Sequence, residues 1–171
     1  MRRWLWAACW LAACTPLPPT VPEPTPAALW PAPADMGAAI AAAKLDEGPI
    51  LEKGTTAWLI HLDVYKDRQP IIVPPNLGID FKSGNAAPLH THLANGILSV
   101  ETTERRRYTL GQVFTLWGVP LAGATAYVNG KAAPDAAGVE LADLQEIAVV
   151  FGTPPATIPS TLPAWTGVFP Q

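Results

Sequence analysis

Residues 108–118 have the sequence Tyr-Thr-Leu-Gly-Gln-Val-Phe-Thr-Leu-Trp-Gly, and this stretch decides the fold class. Thr109 and Gln112 stand three residues apart, the spacing of a capping box at a helix N-terminus. Gly118 stands where helices commonly end in the left-handed conformation. Between them, apolar residues occupy the i, i+3, i+4 and i+7 positions of one helix face, namely Leu110, Val113, Phe114 and Trp117. The pattern predicts a two-turn helix that packs one apolar stripe on a sheet.

The clearest strand pattern is found in residues 58–66, Trp-Leu-Ile-His-Leu-Asp-Val-Tyr-Lys. Its apolar side chains recur with a period of two, which indicates a strand with one buried face. His61 falls on the face opposite the predicted core. The residues that we expect in the core of the domain are Trp58, Ile60, Leu62, Leu110, Phe114, Trp117, Val149 and Phe151.

Two Asn-Gly pairs, at residues 95–96 and 129–130, predict tight chain reversals, because both residue types tolerate a positive φ. The flanking segments are residues 88–93 and 97–101 for the first pair, and residues 124–128 and 131–133 for the second. The first reversal places His90 and His92 on one side of an extended segment beside the turn.

The order of the elements along the chain is strand, strand, helix, hairpin, strand. Residues 145–152 supply the buried last strand, whereas residues 69–75 contain three prolines and fit an edge strand or a loop. One helix crossing a small mixed sheet in this order predicts an α+β domain of β-grasp-like topology, with a small β-sandwich or barrel as the alternative. A short helix that begins near Asp35 and stops before Gly48 is expected to open the domain.

The N-terminus has the pattern of an export signal. Arg2 and Arg3 precede an apolar segment, residues 4–13, that is too short to span a bilayer as a helix. The segment ends in Leu-Ala-Ala-Cys at residues 11–14, which resembles the lipobox of bacterial lipoproteins. The resemblance implies cleavage before Cys14 and lipid on its thiol, so that the protein is extracytoplasmic and anchored to the cell membrane or the outer membrane. An ordinary secretory signal is the alternative.

The predicted domain organisation has four parts. Residues 1–13 are the signal peptide, and residues 14–34 are the lipidated cysteine and a stalk in which residues 15–34 include eight prolines. Such a stalk favours a semi-rigid polyproline II spacer of about 3 Å per residue, with a PxxP ligand as the alternative. Residues 35–155 form the single globular domain, and residues 156–171 a proline-rich tail.

Composition excludes several classes of function. Cys9 leaves with the signal peptide and Cys14 carries lipid, so the mature chain has no thiol for a disulfide, a zinc ribbon or a nucleophile. Loss of Arg2 and Arg3 takes the formal net charge from −3 to −5, which argues against nucleic acid as a partner. The chain also lacks the usual nucleotide-binding, zinc-protease and nucleophile-elbow motifs. A non-enzymatic binding or accessory module, with the membrane and an envelope protein as partners, is therefore favoured.

The chain has only three histidines, His61, His90 and His92. The His-Thr-His spacing places two imidazoles on the same side of an extended segment, about 7 Å apart at Cα. Three neutral imidazoles suit Zn²⁺ or Cu²⁺, with a fourth position open to water or to Asp63. The alternative function to the binding module is therefore an exposed divalent-metal site in which the three histidines converge. In the competing interpretation, His90 and His92 only orient the turn and His61 is solvated.

Three segments resemble an uncharacterised family of secreted or anchored prokaryotic proteins, namely residues 89–101, 108–118 and 147–155. The family pattern carries HTHD, GIIHxE, TLGQFFxxWG and an upstream HxHxxL, and the similarity covers roughly residues 58–155. The resemblance implies no established activity. It implies that the three histidines of this chain match histidines of the family pattern. At three other positions the pattern usually has histidine, aspartate and histidine, and this chain has Leu59, Leu93 and Ser99 in that order.

The lipobox makes a direct prediction about processing. In a bacterial host, we expect the mature chain to begin at acylated Cys14 and to partition into detergent, because several acyl chains on one cysteine anchor stably. The variant Cys14→Ser should stay uncut or be released from the membrane. Mass spectrometry of the N-terminal peptide checks this, and a soluble mature protein with an unmodified Cys14 would contradict it.

Overall fold

The structure is a computed structural model that describes residues 29–49, 56–103 and 106–163. The predicted signal peptide, the lipidation site Cys14, most of the stalk and the end of the tail lie outside these ranges. No helix among the described residues is long and apolar enough to cross a membrane. In chain order, the described elements are α1 (Met36–Ala42), β1 (Gly48–Pro49), β2 (Thr56–Lys66), β3 (Gln69–Ile71), β4 (Ile79–Asp80), β5 (Asn85–Ala86), β6 (Leu89–His90), β7 (Ile97–Thr102), α2 (Leu110–Trp117), β8 (Ala124–Val128), β9 (Lys131–Ala132) and β10 (Glu146–Phe151).

The main sheet is built around a parallel pair, β2 and β10, at its centre. Each of these strands has an antiparallel neighbour on its other side, and the strand order is β6-β7-β2-β10-β8-β9, with β3 folded back on the end of β2. The central four strands have the order β7-β2-β10-β8, and α2 connects β7 to β8 across the sheet. This combination of strand order and crossing helix is β-grasp-like. The sheet stays open, so the predicted α+β class is confirmed and the described residues form no closed barrel. A small second sheet has the order β1-β5-β4.

Helix α2 forms as its sequence predicts. The Thr109 side chain accepts from the backbone N–H of Gln112, and the Gln112 side chain accepts in return from the backbone N–H of Thr109. Gly118 ends the helix with a φ of 75°, in the left-handed region. The four residues of the predicted stripe are all buried. The stripe therefore fixes which side of the sheet is covered.

The core lies between α2 and one face of the main sheet. Six of the eight predicted core residues are buried, whereas Trp58 and Phe151 are half-buried at the margin of the core. Trp30, from the end of the predicted stalk, packs its ring against Trp117 and Phe151. Its backbone carbonyl accepts a hydrogen bond of 2.9 Å from the indole of Trp117. The packed unit therefore starts ahead of the predicted boundary at residue 35.

The reversals differ in how closely they follow the sequence. Asn129 and Gly130 both have positive φ, 49° and 78°, and join β8 to β9 as predicted. Strands β6 and β7 also pair antiparallel, but the connection spans residues 91–96 instead of a two-residue turn. β3 is the short edge strand that was predicted as one of two alternatives.

Helix α2 provides a test of the fold. Replacing Phe114, which is 1% exposed, with alanine should lower the free energy of unfolding by about 3 to 5 kcal/mol, because it leaves a cavity in the core. Urea unfolding of the detergent-purified protein, followed by circular dichroism, measures this.

Thr115→Ala serves as the matched control on the same helix, since Thr115 is exposed. It should change the free energy of unfolding far less. Equal unfolding curves for Phe114→Ala and the wild type would show that the stripe does not face the core.

Candidate metal centre

The face of the main sheet that α2 does not cover carries most of its polar side chains. Residues directly opposite each other on paired strands share a face. The register pairs His61 with Glu146 and His90 with Ser99. Since Leu59 pairs with Ser99 and lies two residues before His61, both histidines lie on the face opposite the core, as predicted for His61.

The His-Thr-His segment is held in place by its middle residue. Thr91 is fully buried, and its hydroxyl donates to the backbone carbonyl of Pro74 at 2.8 Å. The same hydroxyl accepts from the N–H of Leu77, whose carbonyl accepts from the N–H of Thr91. These bonds fix the backbone between His90 and His92, so the positions of the two imidazoles do not depend on the turn alone.

A close backbone approach secures the same segment from the other side. Gly78 has a φ of 80°, and a Cβ there would lie 2.2 Å from the carbonyl oxygen of Leu89. Only glycine permits both the left-handed conformation and this contact. The loop before β4 therefore presses directly on the strand that carries His90.

His90 is 2% exposed, and its two ring nitrogens have different environments. Nδ1 lies 2.9 Å from the backbone carbonyl of Ala87. Because a carbonyl oxygen only accepts hydrogen bonds, Nδ1 carries the proton and Nε2 presents a lone pair. Nε2 is buried and has no hydrogen-bond partner among the described residues. The sequence predicted an exposed site, and for His90 this is wrong because Thr91 and Gly78 draw the strand inward.

Burial is the main influence on the titration of His90. It lowers the pKa of His90, against the opposing effects of the Ala87 carbonyl and the charge of Glu101. His92 contributes to the lowering. The imidazole is therefore held in its neutral form, which is the form that binds metal ions.

Two further ligand atoms lie close to Nε2 of His90. The centroid of the His92 ring lies 4.9 Å from the centroid of the His90 ring, and the two ring planes make an angle of 86°. Oε1 of Glu101, on β7, lies 3.8 Å from Nε2 of His90. The three side chains offer ligand atoms within 4.8 Å of one another. His92 is exposed and Glu101 half-buried, so the cluster is open to solvent on one side.

A cavity of about 290 Å³ adjoins this cluster. His90 and Glu101 form part of its wall, together with Tyr108, and Arg106 and Asp46 form an ion pair in its lining. The cavity therefore borders two of the three side chains of the cluster.

Comparison with protein-family models, with curated proteins and with solved structures finds no match for this chain. The resemblance inferred from the sequence motifs stays a prediction. The function must therefore be inferred from the geometry of the described residues.

The structure separates His61 from the other two histidines. Its ligand atom groups with those of Asp63 and Glu146, and no group of ligand atoms within 4.8 Å joins all three histidines in the described ranges. His61 is also not simply solvated, because its Nδ1 lies 2.9 Å from Oε2 of Glu146. Burial by itself would lower the pKa of His61, but the hydrogen bond and charge of Glu146, with Asp63, raise it overall.

Sequence reasoning named the histidines but missed both glutamates. Glu101 lies one residue before the end of β7, the strand that pairs with β6, and its distance from His90 follows from that pairing. The signal was the alternation of β7, which places Ser99 and Glu101 on one face. Glu146 had no such local signal, because it reaches His61 across 85 residues of chain.

The pKa of His61 is raised and that of His90 is lowered, and NMR titration tests this difference. In metal-free protein, the C–H resonances of His61 should titrate above pH 6.5, and those of His90 below it. Because the folded pKa of His61 is raised, its stabilising contribution is present below about pH 6.5 and is lost as the pH rises through that folded pKa.

The variants His61→Gln and His90→Gln assign the resonances. Glu146→Gln removes the negative charge beside His61 and should lower its pKa, while leaving the titration of His90 in place. A His90 resonance that titrates at or above pH 6.5 would contradict the assignment.

Proposed function

We propose that this protein is a lipid-anchored extracytoplasmic binding module that holds a divalent transition-metal ion, Zn²⁺ or Cu²⁺, at His90, His92 and Glu101. The observation that carries the proposal is the buried, unpartnered Nε2 of His90. His61, which was predicted to complete this site, has no part in it.

An unpaired lone pair in the interior is costly. A buried acceptor without a partner costs about 1 to 3 kcal/mol, so such atoms in native proteins usually have a role. A metal ion at Nε2 would remove this cost. The bond from Nδ1 to a backbone carbonyl is the usual support of a metal-bound histidine, since it fixes the tautomer and the ring orientation.

The donor set suits a transition metal. Two imidazoles and one carboxylate are the protein ligands of many zinc sites that keep a fourth position open. Here that position would face the exposed side of His92 or the adjoining cavity. The same set also suits Fe²⁺, which is therefore included in the test below. Glu101 serves as a ligand in this proposal, and no catalytic step is assigned to it.

The proposed location is supported by the sequence. The lipobox-like residues 11–14 and the proline-rich segment after them fit a domain displayed on a spacer from a membrane. The negative charge and the absence of nucleic-acid motifs leave the membrane, an envelope protein and the metal ion as the proposed partners. A binding module needs no catalytic group, and none is proposed.

Calorimetric titration of the metal-stripped, detergent-purified protein with Zn²⁺, Cu²⁺ and Fe²⁺ tests the site. We expect micromolar or tighter binding that His92→Ala and Glu101→Gln weaken by more than the roughly 10 to 100-fold that loss of an outer-shell partner costs. His92 is exposed, so its replacement should leave the fold intact.

Glu140→Gln is the matched control, because it removes an exposed carboxylate that belongs to neither cluster. It should bind like the wild type. Equal affinities for the wild type, His92→Ala and Glu101→Gln would eliminate the site and leave a metal-free interaction module as the better description.

A further inference from the structure

The second polar cluster on the same sheet face is formed by His61, Asp63 and Glu146. His61 and Asp63 are two residues apart on β2, and Glu146 is the direct partner of His61 on β10. Nδ1 of His61 lies 2.9 Å from Oε2 of Glu146 and 3.8 Å from Oδ2 of Asp63. The three ligand atoms all lie within 4.8 Å of one another.

Glu146 is a buried carboxylate that is only partly satisfied by hydrogen bonds. Its side chain is 1% exposed, and Oε1 has no hydrogen-bond partner among the described residues. Buried carboxylates are normally paired with a cation or with several donors, because desolvation of the charge is costly. Burial raises the pKa of Glu146, the bond and charge of His61 oppose this, and the charge of Asp63 adds to the rise.

The charges in this cluster do not balance. Two carboxylates face one imidazole, so with both carboxylates ionised the cluster has an excess negative charge even when His61 is protonated. In the described ranges, no lysine or arginine forms an ion pair with Asp63 or Glu146. A divalent cation would balance both carboxylates with His61 neutral.

We propose that His61, Asp63 and Glu146 form a second divalent-cation site, for Zn²⁺ or Mn²⁺, separate from the site at His90. Ligand atoms around one such ion are roughly 3 to 3.6 Å apart, given metal–ligand distances of about 2.0 to 2.2 Å. The distances of 2.9 and 3.8 Å bracket this range. The Asp63 side chain is 32% exposed and gives an ion a path from solvent.

The two sites are independent centres. β7 lies between β6, which carries His90, and β2, which carries His61. Neighbouring strands are about 4.8 Å apart, so the two clusters are separated by roughly 10 Å at the backbone. Two ions that share a reaction are typically about 3.5 to 4 Å apart. The sheet therefore has two separate candidate ion sites on one face.

The donor chemistry of the two sites also differs. The second site has one imidazole and two carboxylates, whereas the first has two imidazoles and one carboxylate. Carboxylate oxygens suit Mn²⁺, and imidazoles favour Zn²⁺ and Cu²⁺. Mn²⁺ should therefore prefer the second site and report mainly on that site.

The test measures stoichiometry in the full chain purified in detergent and stripped of metal. After equilibrium dialysis against saturating Zn²⁺, elemental analysis should find two ions per wild-type chain. Asp63→Asn and Glu146→Gln should each lose one ion, and His92→Ala should lose the other. Electron paramagnetic resonance of free Mn²⁺ should show binding to the wild type and to His92→Ala, with a loss of at least tenfold in affinity for Asp63→Asn.

Asp63→Asn keeps the proposal falsifiable if Glu146→Gln fails to fold, because Asp63 is partly exposed and the amide preserves its volume. Circular dichroism confirms the fold of each variant. If Asp63→Asn binds as many Zn²⁺ ions and as much Mn²⁺ as the wild type, the second site is overturned. If the wild type binds one ion that only Asp63→Asn removes, the second site stands and the site at His90 fails. If only His92→Ala removes that ion, the site at His90 stands and the second site fails.

Discussion

The parallel pairing of β2 with β10 is the constraint on which the rest of the structure depends. Its register places Ile147 beside Leu62 on the side covered by α2, and Glu146 beside His61 on the other side. A slip of one residue would exchange the faces and place the carboxylate of Glu146 in the core. One set of backbone hydrogen bonds therefore determines both the apolar packing and the polar face. It joins parts of the chain that lie 85 residues apart.

The cluster of His90, His92 and Glu101 depends on a different kind of support. Its strand is two residues long, so the position of the imidazole is set by the hydrogen bonds of Thr91 and by the close approach of Gly78. Both contacts come from the loop before β4, outside the main sheet. The first cluster is thus positioned by irregular backbone packed against a sheet edge, and the second by the sheet itself. A substitution in that loop should disturb the first cluster directly, and the second only through residues 91–96, where a Cβ on Gly96 would lie 3.0 Å from Nε2 of His61.

The sequence was sufficient where the determinants are local. The helix α2, its caps and the turn at Asn129 follow from residues within a few positions of one another, and the structure confirms them. The outward face of His61 followed from the alternation of β2. Partners across the sheet did not follow, because a strand pattern states which face a residue occupies and not which strand lies beside it. The hairpin between β2 and β3 was also missed, since Asp67 and Arg68 adopt positive φ without the glycine that usually marks such a turn.

Trp30 determines how the domain is connected to whatever precedes it. The indole packs on Trp117 and Phe151, so the described chain begins on the helix-covered side of the sheet. Both polar clusters lie on the opposite side. A tether that enters at Trp30 would therefore attach to the side of the sheet opposite the histidines. Tension along the chain would pass first into Trp117 of α2 and into Phe151 and Lys66, which lie on β10 and β2 five residues away from Glu146 and His61.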